Sequence, residues 1–322
     1  MKKKSLTIIV LLILALIVSV IMVDFLNNRP DRKGGNPYAL DMEQYKKVDP
    51  SLLSHVESRN LDLGKLNGAA MALSNGLLYI TGDSTLLVLE PDGTMVYTGR
   101  VFPSPTGIFV SDSTIFISYR TFVATYDLSG KLIAQWGNLD ERTVITNLVN
   151  GGDRIFVADA GNRRILIYTW EGDLRGEFFG EGDSESGHGF IVPSAHFDLA
   201  VDPDGELWVV NPGRHAVENY TPDGKLRGYW GAYSVEPGGF LGCCNPARIT
   251  VAPDGAFVTG EKGLVRIKIF DASGVLRSVV ATPDQFREEG KAPDVCIDSD
   301  RVVYALDFDR NMIRIFKPKE NG

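Results

Sequence analysis

One motif recurs along this chain, and its recurrence restricts the possible folds more than any other feature. The clearest copy spans residues 152–180 and reads GDRIFVADAGNRRILIYTWEGDLRGEFFG. The apolar runs Ile155–Ala158 and Ile165–Tyr168, followed by the more polar Leu174–Phe179, predict three short strands. The Gly, Asn and Asp residues between them are typical of tight turns. Such a unit cannot bury both of its faces alone, so it must stack on similar units.

Five further copies of the motif are present. They begin at Leu78, Ile115, Leu207, Phe257 and Val303. The residues aligned with Asp159 are Gly82, Tyr119, Asn211, Gly260 and Asp307. A period of roughly 40 to 50 residues with four strands per unit is typical of β-propeller blades. The sequence therefore predicts an all-β, six-bladed β-propeller over residues 51–322.

Two segments resemble the NHL-repeat family of propellers. They are VDPDGELWVVNPGRH (Val201–His215) and RIFVADAGNRRILIY (Arg154–Tyr168), and the resemblance extends from Gly68 to Pro318. The run Gly-Cys-Cys-Asn-Pro, followed later by Glu261-Lys262-Gly263, is similar to a bacterial, membrane-anchored group within that family. This resemblance implies a propeller of NHL-type repeats. It implies no reaction, because that group has no settled activity.

The N-terminus predicts a membrane anchor. Leu6 to Val23 is a run of 18 residues that is apolar except for Thr7 and Ser19, and three lysines precede it. This length spans a bilayer core of roughly 30 Å, and the lysines favour a cytoplasmic N-terminus. We therefore expect a signal anchor at residues 1–26, a polar tether at 27–50 and an extracytoplasmic propeller, on the periplasmic side or at the cell surface. A cleaved signal peptide is the alternative.

Residues after the tether are expected to close the ring. Blade 6 ends at Phe316 and lacks a fourth strand, and the segment Ser54–Gly64 has no blade of its own. If this segment supplies the missing strand, the exposed sheet edges disappear. A short helix at Ser51–Leu63 beneath the ring is the alternative.

The charge of the chain excludes one class of partner. The formal net charge is −8. An acidic surface opposes phosphate backbones, so we expect no nucleic acid as a partner.

Propeller geometry predicts which loops meet. When the strands of each blade are lettered A to D from the channel outwards, the D-to-A loops and the B-to-C turns share one face, here called the loop face. Two of its loops are long, Glu181–Ser194 and Ala232–Asn245, and long loops on a rigid scaffold commonly carry binding sites. The candidate ligand-binding residues on this face are Asp159, Asn162, Arg163, His196, Asn211, Arg214, His215, Cys243, Cys244, Asn245, Glu261, Lys262, Asp307 and Arg310.

The adjacent Cys243 and Cys244 allow three interpretations. They could be structural, they could form a redox-active or ligand-contacting vicinal disulfide, or they could bind a soft metal ion. An extracytoplasmic location favours oxidation. Cys296 lies in a predicted inner strand and is expected to be a buried small residue.

The residue types at the channel mouth allow two kinds of metal site. Zinc would use histidines, as in the peptide-amidating lyases, but His188, His196 and His215 all belong to one blade. Calcium would use the oxygens of a series on consecutive blades, Asp159, Asn211, Glu261 and Asp307. Neither pattern is specific, so no cofactor is predicted.

Two functions remain after these exclusions. The sequence carries no GxSxG, HExxH, P-loop or CxxC motif, which favours a binding module for a protein, peptide or glycan over an enzyme. The alternative is an enzyme on the same face, either a metal-assisted hydrolase or lyase, or a thiol–disulfide exchanger acting through Cys243 and Cys244.

Overall fold

The computed structural model describes residues 2–27, 43–180 and 188–320, and the chain divides into two units, residues 1–44 and 45–322. The first unit contains α1 (Lys2–Asn27), which includes the apolar run of the predicted anchor. In the described parts of the chain, no helix combines the length and the apolar composition that crossing a membrane requires. Most of the predicted tether, residues 28–42, lies outside the described residues.

The second unit begins near α2 (Glu43–Lys46), and its described strands form six four-stranded antiparallel sheets. In chain order the strands are β1 (His55–Asp62), β2 (Gly68–Ser74), β3 (Leu77–Gly82), β4 (Thr85–Leu89), β5 (Met95–Arg100), β6 (Pro105–Val110), β7 (Thr114–Tyr119), β8 (Val123–Asp127), β9 (Leu132–Gln135), β10 (Ile145–Asn150), β11 (Ile155–Asp159), β12 (Arg164–Tyr168), β13 (Leu174–Phe178), β14 (Leu199–Val201), β15 (Leu207–Asn211), β16 (Ala216–Tyr220), β17 (Leu226–Trp230), β18 (Arg248–Val251), β19 (Phe257–Gly260), β20 (Ile267–Phe270), β21 (Leu276–Ala281), β22 (Asp294–Ile297), β23 (Val303–Asp307) and β24 (Met312–Pro318). The predicted all-β, six-bladed propeller is confirmed.

The A strands of the six blades, β2, β6, β10, β14, β18 and β22, surround a common axis. Together they line a central cavity of about 340 Å³. Each is followed by its B, C and D strands in sequence order, so blades 1 to 5 are consecutive meanders. The arrangement places the loop before each A strand beside the B-to-C turns, as predicted. That loop is here called the leading loop of its blade.

Apolar side chains fill the space between neighbouring blades. One cluster joins Val258 and Ile267 of blade 5 to Val303 and Phe316 of blade 6, all of them buried. Comparable clusters lie at the other junctions around the ring. Since a large apolar side chain contributes about 1.5–3 kcal/mol when fully buried, these junctions supply much of the stability of the ring.

Glycines in the turns between C and D strands allow neighbouring blades to approach closely. A Cβ atom on Gly172 would lie 2.2 Å from Trp136 Cδ1 of the preceding blade, and one on Gly274 would lie 2.3 Å from Trp230 Cγ. Both glycines have positive φ angles, +94° and +82°, which other L-residues rarely adopt. The turn glycines therefore serve the junctions as well as the turns.

The ring is closed by the segment that follows the tether. Strand β1 pairs antiparallel with β24 and becomes the D strand of blade 6, giving the order β1-β24-β23-β22. Arg314 Nε of β24 lies 2.8 Å from Glu57 Oε1 of β1, so an ion pair reinforces the seam. Closure by a strand is confirmed, and the alternative of a helix at residues 51–63 is wrong apart from a single short turn at Pro50–Leu52.

Candidate functional site

In blade 3, a fully buried carboxylate joins the B-to-C turn to the leading loop. Asp159, at the end of β11, accepts hydrogen bonds from the Val144 backbone at 3.0 Å and from the Thr143 hydroxyl at 3.2 Å. The Asn162 amide donates to Asp159 at 2.9 Å, and Arg164 Nε donates at 2.8 Å. Asp159 and Asn162 are thus side chains that hold loop and turn together.

The same network sets the ionisation of Asp159. Burial raises the pKa of this carboxyl group, but the donors from Asn162, Val144 and Arg164 outweigh burial, and the pKa lies below its usual value. Arg164 also contacts Asp140 at 2.9 Å and Glu177 at 2.7 Å. The candidate residues chosen from the sequence include the neighbouring Arg163 but not Arg164, and Arg163 is exposed and has a left-handed backbone conformation.

In blade 4, an amide and a buried carboxylate join the leading loop to the strands. Asn211 Oδ1 accepts the Ile191 backbone N–H at 2.9 Å, and its amide nitrogen donates to Glu218 Oε1 at 2.9 Å. Glu218 is fully buried, accepts the Tyr220 hydroxyl at 2.6 Å and lies 2.8 Å from His188 Nε2. Glu218 was not predicted, because a single glutamate in a strand carries no distinguishing signal. Residues 181–187 of the predicted long loop lie outside the described residues.

In blade 5, the network contains three charged side chains that are completely buried. Glu261 lies 2.7 Å from Lys268 Nζ and 3.3 Å from Arg266 Nη2. The Lys268 ammonium donates to the backbone carbonyls of Pro237 at 2.9 Å and Gly239 at 2.6 Å, both in the leading loop. Burial lowers the pKa of Lys268 to about 8, although Glu261 opposes the shift.

Blade 6 repeats the arrangement with an arginine on its C strand. Asp307 accepts the backbone N–H groups of Asp309 at 3.1 Å and Arg310 at 3.0 Å, and lies 3.5 Å from Arg314 Nη1. Arg314 in turn donates to the Gln285 carbonyl of the leading loop at 2.6 Å, and Arg310 donates to the same carbonyl.

Polar side chains at or next to the end of the B strand therefore have a similar role in four blades. Each of Asp159, Asn211, Glu261 and Asp307 is almost completely buried and bonded within its own blade, so the structure does not gather these side chains into a common set of ligands. Among the described residues there is no group of three or more His, Cys, Asp or Glu side chains that could hold a metal ion.

The cysteine pair lies on the leading loop of blade 5. Cys243 is exposed and Cys244 is buried, both are free thiols, and their sulfur atoms are 3.3 Å apart. The Ser194 hydroxyl donates to Cys244 Sγ at 3.0 Å. Burial raises the pKa of Cys244, but the hydrogen bonds from Ser194 and Cys243 and the charge of Lys262 bring the pKa below its usual value. The contact with Cys244 raises the pKa of Cys243.

Asn245 fixes the position of this pair relative to Lys262. Its side-chain oxygen accepts the Lys262 backbone N–H at 2.9 Å, and its amide donates to the carbonyls of Lys262 at 3.0 Å and Leu241 at 2.6 Å. The predicted residues Cys243, Cys244, Asn245 and Lys262 are thus brought together on the loop face.

His196 lies with cationic residues at the loop-face end of the channel. A pocket of about 330 Å³ is lined by His196, Arg248, Lys291 and Phe308, together with the small residues Gly68, Ala69 and Ala292. Burial, together with the charges of Arg248 and Lys262, lowers the pKa of His196 to about 4, so the imidazole is neutral near pH 7. Arg248 and Lys291 were not predicted, because arginines and lysines at strand and loop ends are usually solvated.

Beneath this pocket, a buried aspartate connects three inner strands. Asp198 accepts the backbone N–H groups of Leu199 at 2.9 Å and Ile249 at 3.0 Å, and the Asn147 amide also donates to it. Burial raises the pKa of Asp198 to about 6 despite the charge of Arg248. Asp198 was also missed, since only its place before an inner strand distinguishes it.

The remaining predicted residues lie farther out on the loop face. Arg214 Nε donates to the Gly189 carbonyl at 3.2 Å, and the His215 ring meets the Tyr233 ring edge-on at 5.2 Å. Arg163 lines a separate pocket of about 580 Å³ between blades 3 and 4. These residues do not join the pocket at the channel mouth.

No protein-family model matches the sequence, and no curated protein matches it. The resemblance to NHL repeats therefore stays a prediction.

Solved structures, in contrast, include many similar folds. A catalytically inactive virginiamycin B lyase from Staphylococcus aureus, crystallised with quinupristin, is 13% identical over 81% of this chain and 99% of that chain, with a TM-score of 0.55. A streptogramin B lyase is 12% identical over 84% and 100%, with a TM-score of 0.59. The WD40 β-propeller domain of Doa1 is 14% identical over 79% of each chain, with a TM-score of 0.55. At these identities the similarity shows that the chain has a β-propeller fold, and nothing about its activity.

Proposed function

We propose that this protein is a binding module that holds a protein, peptide or glycan on the loop face of its propeller. The observation that carries this proposal is the set of buried polar networks in blades 3 to 6, each of which ties a leading loop to its own blade. Loops held in this way lose little conformational entropy when a ligand binds, which raises affinity without further contacts. Propeller folds commonly serve as protein-binding scaffolds.

The proposal also includes the cellular location of the binding module. The apolar run from Leu6 to Val23 behind three lysines supports an anchor in the cytoplasmic membrane, with the propeller on the extracytoplasmic side. The acidic net charge of −8 supports a partner that is not a nucleic acid.

Face-specific photocrosslinking in cells tests the binding function. A photoreactive amino acid is placed at Arg163 or Lys262 on the loop face, or at Asp112 or Asp204 in the A-to-B turns of the opposite face. We expect one discrete adduct from the two loop-face positions and none from the opposite face. Adducts formed equally from both faces, or only from the opposite face, would contradict the proposal.

A second function is supported by the cysteine pair. The 3.3 Å separation of the sulfur atoms, with one thiol exposed and the other near Lys262, suits exchange with a partner disulfide. The Cys243 thiolate would attack one partner sulfur and release the other as a thiolate. The Cys244 thiolate would then attack Cys243 Sγ, which completes the vicinal disulfide, releases the second partner thiolate and transfers two electrons to the partner.

Titration in glutathione redox buffers tests this second function. The chain is equilibrated at a series of potentials, and free thiols are counted by alkylation and mass spectrometry. Joint loss of the Cys243 and Cys244 thiols with a midpoint in the physiological range would support exchange. Thiols that stay reduced throughout would exclude it, and the Cys296→Ser variant controls for the buried third thiol. Metal analysis of the same sample tests the soft-metal alternative.

A further inference from the structure

The pocket at the channel mouth is a place where positive charge accumulates in an acidic protein. Arg248 begins the inner strand of blade 5, His196 precedes that of blade 4, and Lys291 lies in the leading loop of blade 6. Lys262 is close enough to His196 to influence its ionisation. Three basic residues from three blades therefore line one pocket in a chain whose net charge is −8.

Two polar side-chain atoms at this pocket are left unused by the protein itself. In the described part of the chain, no ion pair includes Arg248 or Lys291. Arg248 Nε and His196 Nδ1 are both buried without a hydrogen-bond partner. A buried donor left unpaired costs about 1–3 kcal/mol, so an acceptor supplied by a ligand would recover that free energy.

The nearby carboxylates are engaged elsewhere. Asp309 accepts the Lys291 backbone N–H at 2.7 Å, Asp294 accepts the Met71 backbone N–H at 2.9 Å, and Asp198 accepts backbone N–H groups of two inner strands. Asp198 is the acid whose charge acts on Arg248, and it lies fully buried below the pocket. Among the described residues, none of these acids forms an ion pair with Arg248 or Lys291.

We propose that this pocket binds the carboxylate of an organic ligand, with Arg248 and Lys291 as its charged donors and His196 as a neutral donor. Arginine is suited to this role because its planar guanidinium can donate two parallel hydrogen bonds to one carboxylate. The Phe308 ring, 5.9 Å from the Arg248 guanidinium carbon, offers an apolar surface beside the charge. The ligand is thus an acid with an adjacent apolar group. This inference rests on the proposed function, because it names the chemistry recognised on the loop face.

Such a carboxylate could belong to a free organic acid or to the C-terminus of a peptide. A cavity of about 330 Å³ accommodates one residue-sized group, and the loop face is open to anything attached to that group. The two sources share the same contact with Arg248, and probes of different length distinguish them.

Calorimetric titration of the full-length chain in detergent micelles tests the inference. The probes are N-acetylphenylalanine, its amide, a hexapeptide ending in phenylalanine, and the same hexapeptide amidated. We expect both acids to bind and both amides to bind at least tenfold more weakly, since each amide lacks the charge-assisted hydrogen bonds. A hexapeptide acid that binds more tightly than the small acid indicates a peptide C-terminus, and the reverse order indicates a free acid.

Three variants locate the binding. Arg248→Gln should weaken the acids about tenfold or more, and the exposed Lys291→Gln about threefold. Arg277→Gln, on the outer strand of the same blade, is the matched control and should bind as the parent chain does. If Arg248→Gln fails to fold, Lys291→Gln decides the matter, because an exposed lysine can be replaced without loss of the fold.

Several outcomes would overturn the inference. They are equal binding of acids and amides, no binding of either acid at millimolar concentration, or equal binding by Arg248→Gln and Arg277→Gln. If one of these occurs while crosslinks still form only on the loop face, the binding function stands and only the carboxylate is wrong. If the acids bind in an Arg248-dependent way but no loop-face crosslinks form, the carboxylate site stands and the proposed binding function of the loop face is wrong.

Discussion

At the scale of single residues, burial shifts the pKa values of two ionisable groups at and below the channel mouth. His196 and Asp198 are two residues apart, and the pKa of each is shifted in the direction that favours its neutral form. The pKa of His196 is lowered to about 4, and that of Asp198 is raised to about 6. For both, burial is the largest cause, because transfer from water disfavours the charged form. Their effects on stability oppose each other.

The pH dependence of unfolding should reveal this opposition. The unfolded chain binds a proton at a histidine near pH 6.5, whereas folded His196 does so only near 4, so His196 lowers stability as pH falls between those values. Folded Asp198 keeps its proton up to about pH 6 against 3.8 when unfolded, so Asp198 lowers stability as pH rises through that range.

Replacing His196 with Gln should remove the first effect. The difference in free energy of unfolding between the variant and the parent chain should depend on pH. Between pH 7 and pH 4 we expect it to change by about 1–2 kcal/mol in favour of the variant, after allowance for the partial exposure of His196. Urea unfolding at a series of pH values measures this. Parallel curves for the two chains would show that His196 does not titrate abnormally.

At the scale of elements, each leading loop depends on side chains that belong to the strands beneath it. The C-strand residues Arg164, Glu218, Lys268 and Arg314 all lie in the half of the strand near the loop face but differ in charge. In the sequence they look like the solvent-facing positions of alternating strands. Their burial arises only when the loop of the same blade folds over them, and this contact spans a long separation along the chain. For this reason sequence reasoning found the turn residues Asp159, Asn211, Glu261 and Asp307 but missed their partners.

The blade 5 network can be tested by replacing Lys268 with Met. The substitution leaves the buried Glu261 charge with Arg266 alone and leaves two loop carbonyls without a donor. We expect a loss of about 3–5 kcal/mol in the free energy of unfolding, together with faster proteolysis within residues 232–240. Lys225→Met, at an exposed position, should change stability by less than about 0.5 kcal/mol. Similar losses for the two variants would show that the buried network does not hold the loop.

One junction glycine can be compared with a turn glycine of matching φ angle that lies at no junction. Gly274 and Gly205 have nearly equal φ angles, +82° and +83°, but a Cβ would meet Trp230 at the first position and open space at the second. We expect Gly205→Ala to cost about 1 kcal/mol from backbone strain alone. Gly274→Ala should cost about 1–3 kcal/mol more, because it also pushes blades 4 and 5 apart. Thermal and urea unfolding of the two variants would measure the difference, and equal losses would mean that the junction can relax.

At the scale of the whole molecule, the repeat period was sufficient to predict the architecture. Six copies of a unit with one apolar face can bury that face only against each other, so a closed ring followed from the spacing, and the unassigned segment near Ser54 followed as the missing strand. The mouth pocket could not be predicted in the same way. Arg248, Lys291 and His196 belong to different blades, and only the curvature of the ring determines which ends of which strands meet.

Truncation tests the dependence of the ring on its closing strand. Removal of residues 1–62 deletes β1 and exposes the edge of β24, so we expect a large loss of thermal stability and self-association through that edge. Removal of residues 1–44 retains β1 and should leave the unfolding temperature nearly unchanged. Calorimetry with size-exclusion chromatography would distinguish them, and equal stability of the two chains would show that β1 is dispensable.

The seam between β1 and β24 has a mechanical consequence. Since β1 follows the proposed tether, a pull on an N-terminus held as proposed would act first on the contacts of Lys46 with Glu288 and of Ser54 with Ser278, and then on the hydrogen bonds between β1 and β24. Tension would thus be borne at the joint where the circle is completed.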